Sequence, residues 1–336
     1  MVRVLLAEDS STTRQMLVSL LLEDPEIQVV GEAKNGLEAV DMARNLRPDV
    51  IAMDIVMPEM DGFEATKSIM THIPTPIVII SNVVNVREIQ VSLQALKAGA
   101  LTVIKKPGGL GGGENDTDRS IFVSTLKIMS QVKLVRLWSD TAKEPKARPR
   151  RAFPKAFPDG KKGRVVVIAA STGGPAALNR IFSELGGNFS APILVVQHMA
   201  PGFITGCASW MNGNSSLRVK VGEEGESPDP GTVYLAGDNR HLGVSALPAL
   251  AYTNTAPIGS FRPSGTCLFE SAAKVYGSST IAVVLTGMGS DGVAGLKAVK
   301  DAGGLVVAQD EDSSIVFGMP GEAIKSGYTD MIVPLP

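Results

Sequence analysis

Three polar residues in the second half of the chain have the types that nucleophilic catalysis needs. The apolar run VVVIAA (165–170) stops at Ser171 and turns through Gly173 and Gly174. The run ILVVQ (193–197) is followed by His198, and TIAVVLTGMGS (280–290) by Asp291. A serine hydroxyl attacks a carbonyl only when a base takes its proton, and the usual base is a histidine oriented by a carboxylate. Two other readings of ASTGGP (170–175) compete. Dinucleotide binding asks for G-x-G-x-x-G and an acid at the end of the next strand, where this chain has Gln197 and His198. A bare packing turn accounts for both glycines but leaves the serine and the histidine unexplained. Of the three histidines, His72 lies in the first half, and His241 reads as a structural residue in or just before a strand. His198 is therefore preferred over His241 as the base. Alone, Asp291 would read as a helix N-cap; beside Ser171 and His198 it reads as the orienting acid. The order Ser…His…Asp differs from that of the α/β-hydrolases, and Ala169 replaces the first glycine of their G-x-S-x-G elbow. The expected scaffold is therefore a different one.

The first half holds a second constellation. Glu8 and Asp9 follow its first apolar run, Asp54 ends the third, Ser81 ends the fourth and Lys106 follows the fifth. In an open parallel sheet the strand ends share one rim, so three carboxylates, a hydroxyl and an ammonium converge there. Carboxylates that close repel one another and make a hard oxygen site for Mg²⁺. One of them can then attack a phosphoryl donor and form an acyl phosphate, while the metal and the lysine neutralise the developing charge.

The elements that must position these groups alternate along the chain. RVLLA, QVVGEA, VIAMD, IVII and LTVIK read as strands, and TTRQMLVSLLLE, GLEAVDMARNL, GFEATKSIM and VREIQVSLQALKAGA as helices between them. A last helix is expected from about Arg119 to Leu137, after a long glycine-rich loop at 108–118. Such alternation predicts a doubly wound α/β domain on a five-stranded parallel sheet. From Arg164 the alternation resumes, with helices expected from about Gly174, Phe203, Ser264, Gly292 and Pro320. This predicts a second, larger and mostly parallel α/β sheet. The shorter strands between LRVKV and HLGVSALPALAY suggest an antiparallel hairpin at its edge. The expected domains are 1–125, with the last helix continuing toward 137, and 164–336, joined by a linker at 138–163. Residues 143–164 carry nine Lys or Arg, two acids and four prolines, a composition that stays extended and solvated.

Length and composition agree with two globular domains: 336 residues, 44% hydrophobic and 20% charged. A net charge of −2 gives no overall attraction to nucleic acid, and the second half is too long and strand-rich for a helix-turn-helix output. The first apolar run, about five residues long, is too short for a signal-peptide core, and no run approaches the ~20 residues of a membrane span. Cys207 and Cys267 are too few for a disulfide framework. A cytoplasmic protein, not embedded in a membrane, is expected.

Two resemblances join these readings. AEDSS (7–11), MDIVMPEMDG (53–62), IIS (79–81) and KKP (105–107) resemble the response-regulator receiver domain over residues 1–125. That resemblance implies Asp54 as phosphoacceptor and a histidine kinase as phosphodonor. Mg²⁺ would be held by Glu8, Asp9, Asp54 and the backbone carbonyl of Val56, and Lys106 and Ser81 would relay phosphorylation. Val103 stands where the family often has an aromatic switch, so the relay is expected to run through Ser81 and the last helix–strand face. ASTGGP, QHM (197–199), PGTVYLAGDNRH (230–241), RPS (262–264), LFESAA (268–273) and TGMGSDG (286–292) resemble the chemotaxis protein-glutamate methylesterases, often also glutamine deamidases. This second resemblance implies a triad of Ser171, His198 and Asp291, with oxyanion donors at the N–H groups of Thr172 and Met288. It also implies methyl-accepting chemotaxis receptors as substrates, an array-associated location, and no cofactor for the ester chemistry. Gly265 and Thr266 stand where that family often has an aspartate. This departure sustains one alternative, a phosphorylation-gated adaptor with a degenerate esterase core.

Overall fold

Strands buried on both faces need helices on both sides of the sheet, and both halves of the chain meet that requirement. The computed structural model describes residues 1–82, 86–108, 113–132 and 163–336; the expected linker lies, but for its last residue, outside them. In the first domain β1 (Val2–Ala7), β2 (Ile27–Ala33), β3 (Val50–Asp54), β4 (Ile77–Ser81) and β5 (Thr102–Lys105) form a parallel sheet in the order β2-β1-β3-β4-β5. Helices α1 (Ser11–Leu22), α2 (Gly36–Leu46), α3 (Gly62–His72), α4 (Val86–Lys97) and α5 (Gly113–Met129) connect and cover it. Their starts follow local chemistry: Asn35 accepts the N–H of Glu38 at 2.8 Å and Asp61 that of Glu64 at 2.8 Å, satisfying donors that the first helical turn leaves free. The last helix begins at Gly113, earlier than glycine content suggested, and residues 133–137 lie outside the described region.

The second domain is a seven-stranded, all-parallel sheet in the order β14-β13-β12-β6-β7-β9-β8. Its strands are β6 (Val165–Ala170), β7 (Ile193–Gln197), β8 (Arg218–Val221), β9 (Thr232–Leu235), β12 (Thr280–Val284), β13 (Leu305–Gln309) and β14 (Met331–Val333). The antiparallel hairpin, β10 (His241–Val244) with β11 (Leu250–Thr253), forms a two-stranded sheet of its own, and the edge of the main sheet is the parallel β8. Helices α6 (Gly174–Glu184), α7 (Ile204–Gly213), α8 (Gly265–Tyr276), α9 (Val293–Asp301) and α10 (Met319–Lys325) pack around this core. Among the described residues, no helix is long and apolar enough to cross a membrane.

Topology decides where chemistry sits. From β6 the chain passes to β7, out to the edge strand β8 and back to β9 between them, and later crosses to β12 on the other side of β6, so the order reverses beside β6. Open sheets bind ligands at such a switch point, outside the carboxyl ends of the strands. Here those ends deliver Ser171 after β6, His198 after β7 and Asp291 after β12. The first domain repeats the logic: its switch point lies between β1 and β3, whose ends deliver Glu8, Asp9 and Asp54.

The two domains share one apolar cluster. Leu93, Leu96 and Val103 of the first domain belong to the same buried set as Phe203, Ile204 and Cys207 of the second. Gly206 lets α4 approach α7 closely: a Cβ there would meet Leu93 Cδ1 at 2.5 Å. Nearby, the Lys97 ammonium stands 5.5 Å from the centre of the Trp210 ring, a cation–π contact.

Candidate functional sites

Asp54, Glu8 and Lys106 form a buried charge cluster at the rim of the first sheet, exposed by no more than 8%. The Lys106 ammonium is 2.7 Å from Asp54 Oδ2 and 2.8 Å from Glu8 Oε2. The lysine is thus the buried partner of both carboxylates. Burial pushes the Asp54 carboxyl up against the opposing pull of Lys106, and burial with the Asp54 charge raises Glu8 as well. For Lys106 burial acts downward, but Asp54 and Glu8 outweigh it and hold the ammonium above its ordinary range. Oxygen atoms of Glu8, Asp9 and Asp54 lie within 4.8 Å of one another. An acidic set of this kind, two of its three carboxylates buried, is one that a hard divalent cation such as Mg²⁺ fits. Asp54 Oδ1 accepts the Ile55 N–H at 2.7 Å, and the Val56 N–H also donates to this carboxylate. Ser81 is fully buried at the end of β4, and its carbonyl accepts the Lys106 N–H at 3.0 Å.

At the rim of the second sheet, His198 Nε2 lies 2.9 Å from Asp291 Oδ2. Asp291 is nearly encased. Its Oδ1 accepts from Ser264 Oγ at 2.5 Å and from Thr266 Oγ1 and the Thr266 N–H at 3.3 Å, and Oδ2 accepts the Gly265 N–H at 2.6 Å. Burial alone would raise this carboxyl; the His198 hydrogen bond and charge, then Ser264 and Gly265, overcome it and bring the pKa down to about 2. With Nε2 turned to the acid, His198 Nδ1 is buried and has no partner. The Phe261 ring stacks on the imidazole at 4.2 Å, within 9° of parallel, and so limits its tilt.

Ser171 stands at the turn from β6 into α6. Its N–H donates to the Thr286 carbonyl at 3.1 Å, which ties the turn to the end of β12. Gly173 caps α6 at φ +77°, a left-handed conformation in which a Cβ would also meet Ile315 at 2.8 Å. No side chain caps this helix start; the Gly174 N–H donates to the Ser171 carbonyl at 2.8 Å, and Pro175 has no N–H to satisfy. Neither the Thr172 nor the Met288 N–H has a hydrogen-bond acceptor among the described residues. Between them Gly287 touches Ser171: a Cβ there would stand 2.7 Å from Ser171 Cβ.

Ser171 and His198 line one cavity, whose other wall is the first domain: Leu96, Leu101, Thr102 and Val103. Its volume is about 10 Å³, room for roughly one water molecule. Within the same domain His241 is fully buried with Nε2 3.1 Å from the Ala256 carbonyl, the structural placement expected of it. The supports of the acid (Ser264, Gly265 and Thr266) and the Phe261 stack were not legible as such. RPS reads as a motif, but its contact with Asp291 depends on a loop without periodicity. Thr266 proves to be part of the acid's cradle: besides Asp291 it accepts the Gly292 N–H at 3.0 Å.

A receiver-type domain with an acidic rim, joined to a doubly wound domain whose rim holds serine, histidine and aspartate, defines a response regulator with an enzymatic output. The chain belongs to the CheB methylesterase family, whose pattern residues 166–336 match; residues 4–111 match the response regulator receiver domain. It is 48% identical over 334 residues to protein-glutamate methylesterase/protein-glutamine glutaminase 4 of Myxococcus xanthus, covering 99% of this chain and 94% of that one. Identity to a protein of the same printed function from Thermotoga maritima is 39% over 339 residues, 99% of this chain and 95% of the relative. The crystal structure of the Thermotoga maritima CheB methylesterase catalytic domain superposes with a TM-score of 0.51 at 44% identity, over 52% of this chain and 93% of that domain.

Proposed function

We propose that this chain hydrolyses glutamyl γ-methyl esters on chemoreceptors, and the amide of receptor glutamines by the same path, under control of Asp54 phosphorylation. The observation that carries this reading is the convergence of Ser171, His198 and Asp291 at one switch point, with Asp291 held ionised. His198 Nδ1 takes the Ser171 proton as Oγ attacks the ester carbonyl, and Asp291 at Nε2 stabilises the imidazolium that forms. The unpartnered N–H groups of Thr172 and Met288 receive the developing oxyanion. His198 returns the proton to departing methanol (or ammonia, from an amide), and water then frees the glutamate by the reverse proton path.

Control follows from the shared cavity. With room for about one water between the receiver and Ser171, a glutamyl ester on a receptor helix has no access. A histidine kinase is the expected phosphodonor. Mg²⁺, held by Glu8, Asp9, Asp54 and the Val56 carbonyl, would neutralise charge on the transferring phosphoryl group. Lys106 and Ser81 meet the new phosphoryl oxygens, and their rearrangement loosens the α4–β5 face that covers Ser171. Methanol release from methylated receptor membranes, with and without a small-molecule phosphodonor and Mg²⁺, tests the reading. Release that requires Ser171 and rises with phosphodonor supports it; equal release from wild type and Ser171→Ala overturns it.

A further inference from the structure

Gln197 ends β7 one residue before His198 and is 3% exposed. Its side-chain Nε2 donates twice, to the Ser171 carbonyl at 2.8 Å and to the His198 carbonyl at 2.7 Å. One amide group thus ties together the backbones that carry the nucleophile and the base, at the ends of two neighbouring strands. Its orientation follows from the donor inventory: turned over, the amide would set its oxygen against two carbonyl oxygens. Room for it is built into α6. A Cβ at Gly174 would come within 2.0 Å of Gln197 Oε1, so the second glycine of STGG is required by this side chain rather than by its own backbone conformation. Oε1 itself is buried with no protein donor, so both hydrogen bonds of the side chain to protein run through its Nε2.

We infer that Gln197 is a positioning residue for the proposed hydrolysis, whose amide sets the distance between Ser171 and His198 Nδ1. The inference rests on the reading of Ser171 and His198 as nucleophile and base. The amide acts on backbone, not on substrate, so its loss lowers kcat and leaves KM nearly unchanged. Misplacement of a reacting pair by about 1 Å costs on the order of 10²-fold. Gln197→Met keeps the length and removes both donors. Gln197→Glu restores one, because a carboxyl buried against two carbonyls is held neutral and keeps one O–H to donate.

Methanol release by the full-length protein with phosphodonor, per folded molecule as judged by circular dichroism, is the measurement. The expected order of kcat is wild type, then Gln197→Glu, then Gln197→Met, the last lower than wild type by roughly 10- to 100-fold at similar KM. The Gln197→Glu activity should also fall relative to wild type as pH rises and its carboxyl ionises. Wild-type kcat per folded molecule in either variant, or a change confined to KM, overturns the inference while the Ser171 requirement stands. If Gln197→Met does not fold, Gln197→Glu and its pH dependence decide. Loss of the Ser171 requirement in the wild type is a separate outcome and overturns the reading beneath.

Discussion

Asp291 shows how a single residue joins stability to chemistry. Its carboxyl is pushed down to about 2 from an ordinary 3.8, a shift worth about 2 kcal/mol by linkage. Because the folded value is the lower one, this contribution is present above about pH 4 and is lost as pH falls through about 2. Acid unfolding followed by circular dichroism should therefore show Asp291→Asn less stable than wild type near neutrality, with the gap closing below about pH 2. The same substitution should lower kcat by about 10²- to 10⁴-fold, because an amide can hold the imidazole in the wrong tautomer. Methanol release at saturating substrate checks it. Ser264→Ala should act through the acid: it removes one donor to a buried carboxylate, costs about 1.5–3 kcal/mol, and lowers kcat less than Asp291→Asn does. Thermal unfolding and kcat together test that order.

At the scale of elements, the turns that aim the side chains are more demanding than the strands that carry them. Gly287 sits against both Ser171 and Met319, where a Cβ would come within 2.7 and 2.6 Å. Gly287→Ala should displace the nucleophile turn, cost about 1–3 kcal/mol as overpacking does, and reduce methanol release more than its loss of stability explains. Much of this was legible in sequence. Runs such as VVVIAA and ILVVQ are buried throughout, and each is followed by a polar residue, Ser171 and His198, because the rim is where such a strand first meets a site. Ser171, His198, Asp291, Asp54, Glu8 and Lys106 are the candidates read on that basis, and the structure places them at or just beyond the C-terminal ends of β6, β7, β12, β3, β1 and β5. What stayed hidden came from segments without periodicity. Phe261 reaches the imidazole from an irregular loop, and Ser264 and Thr266 reach Asp291 from the N-cap and first turn of α8 that this loop leads into. Glycine content likewise concealed the start of α5, since GENDTD (113–118) adds acids favourable to the first turn of a helix. The hairpin of β10 and β11 was foreseeable from short paired runs, but its separation from the main sheet was not. β8 takes that edge by pairing parallel to β9.

For the whole molecule, the decisive contact is the packing of α4 against α7. Gly206→Leu would drive a side chain into Leu93, whose Cδ1 already lies 2.5 Å from where a Cβ would be. The expected result is higher methanol release without phosphodonor and a smaller increase when it is added, since part of the undocking has already occurred. Unchanged basal release in a protein shown to be folded would count against a covering role for the receiver. Lys97→Glu should act in the same direction but more weakly, because an exposed cation–π contact contributes about 0.5–1 kcal/mol.

The apolar cluster that runs from Leu93 and Leu96 into Phe203 and Cys207 has a consequence for information flow in the opposite direction. If one interface both seals the rim near Ser171 and restrains the receiver, occupancy of the two sites is reciprocal. Whatever holds the rim open must favour the phosphorylated receiver by the same factor that phosphorylation favours the open rim. A receptor helix lodged at Ser171 then becomes an effector as well as a substrate: it would make Asp54 easier to phosphorylate where receptors are methylated. Adaptation would in that case respond to its own workload, through nothing more than the shared contacts of α4 and α7.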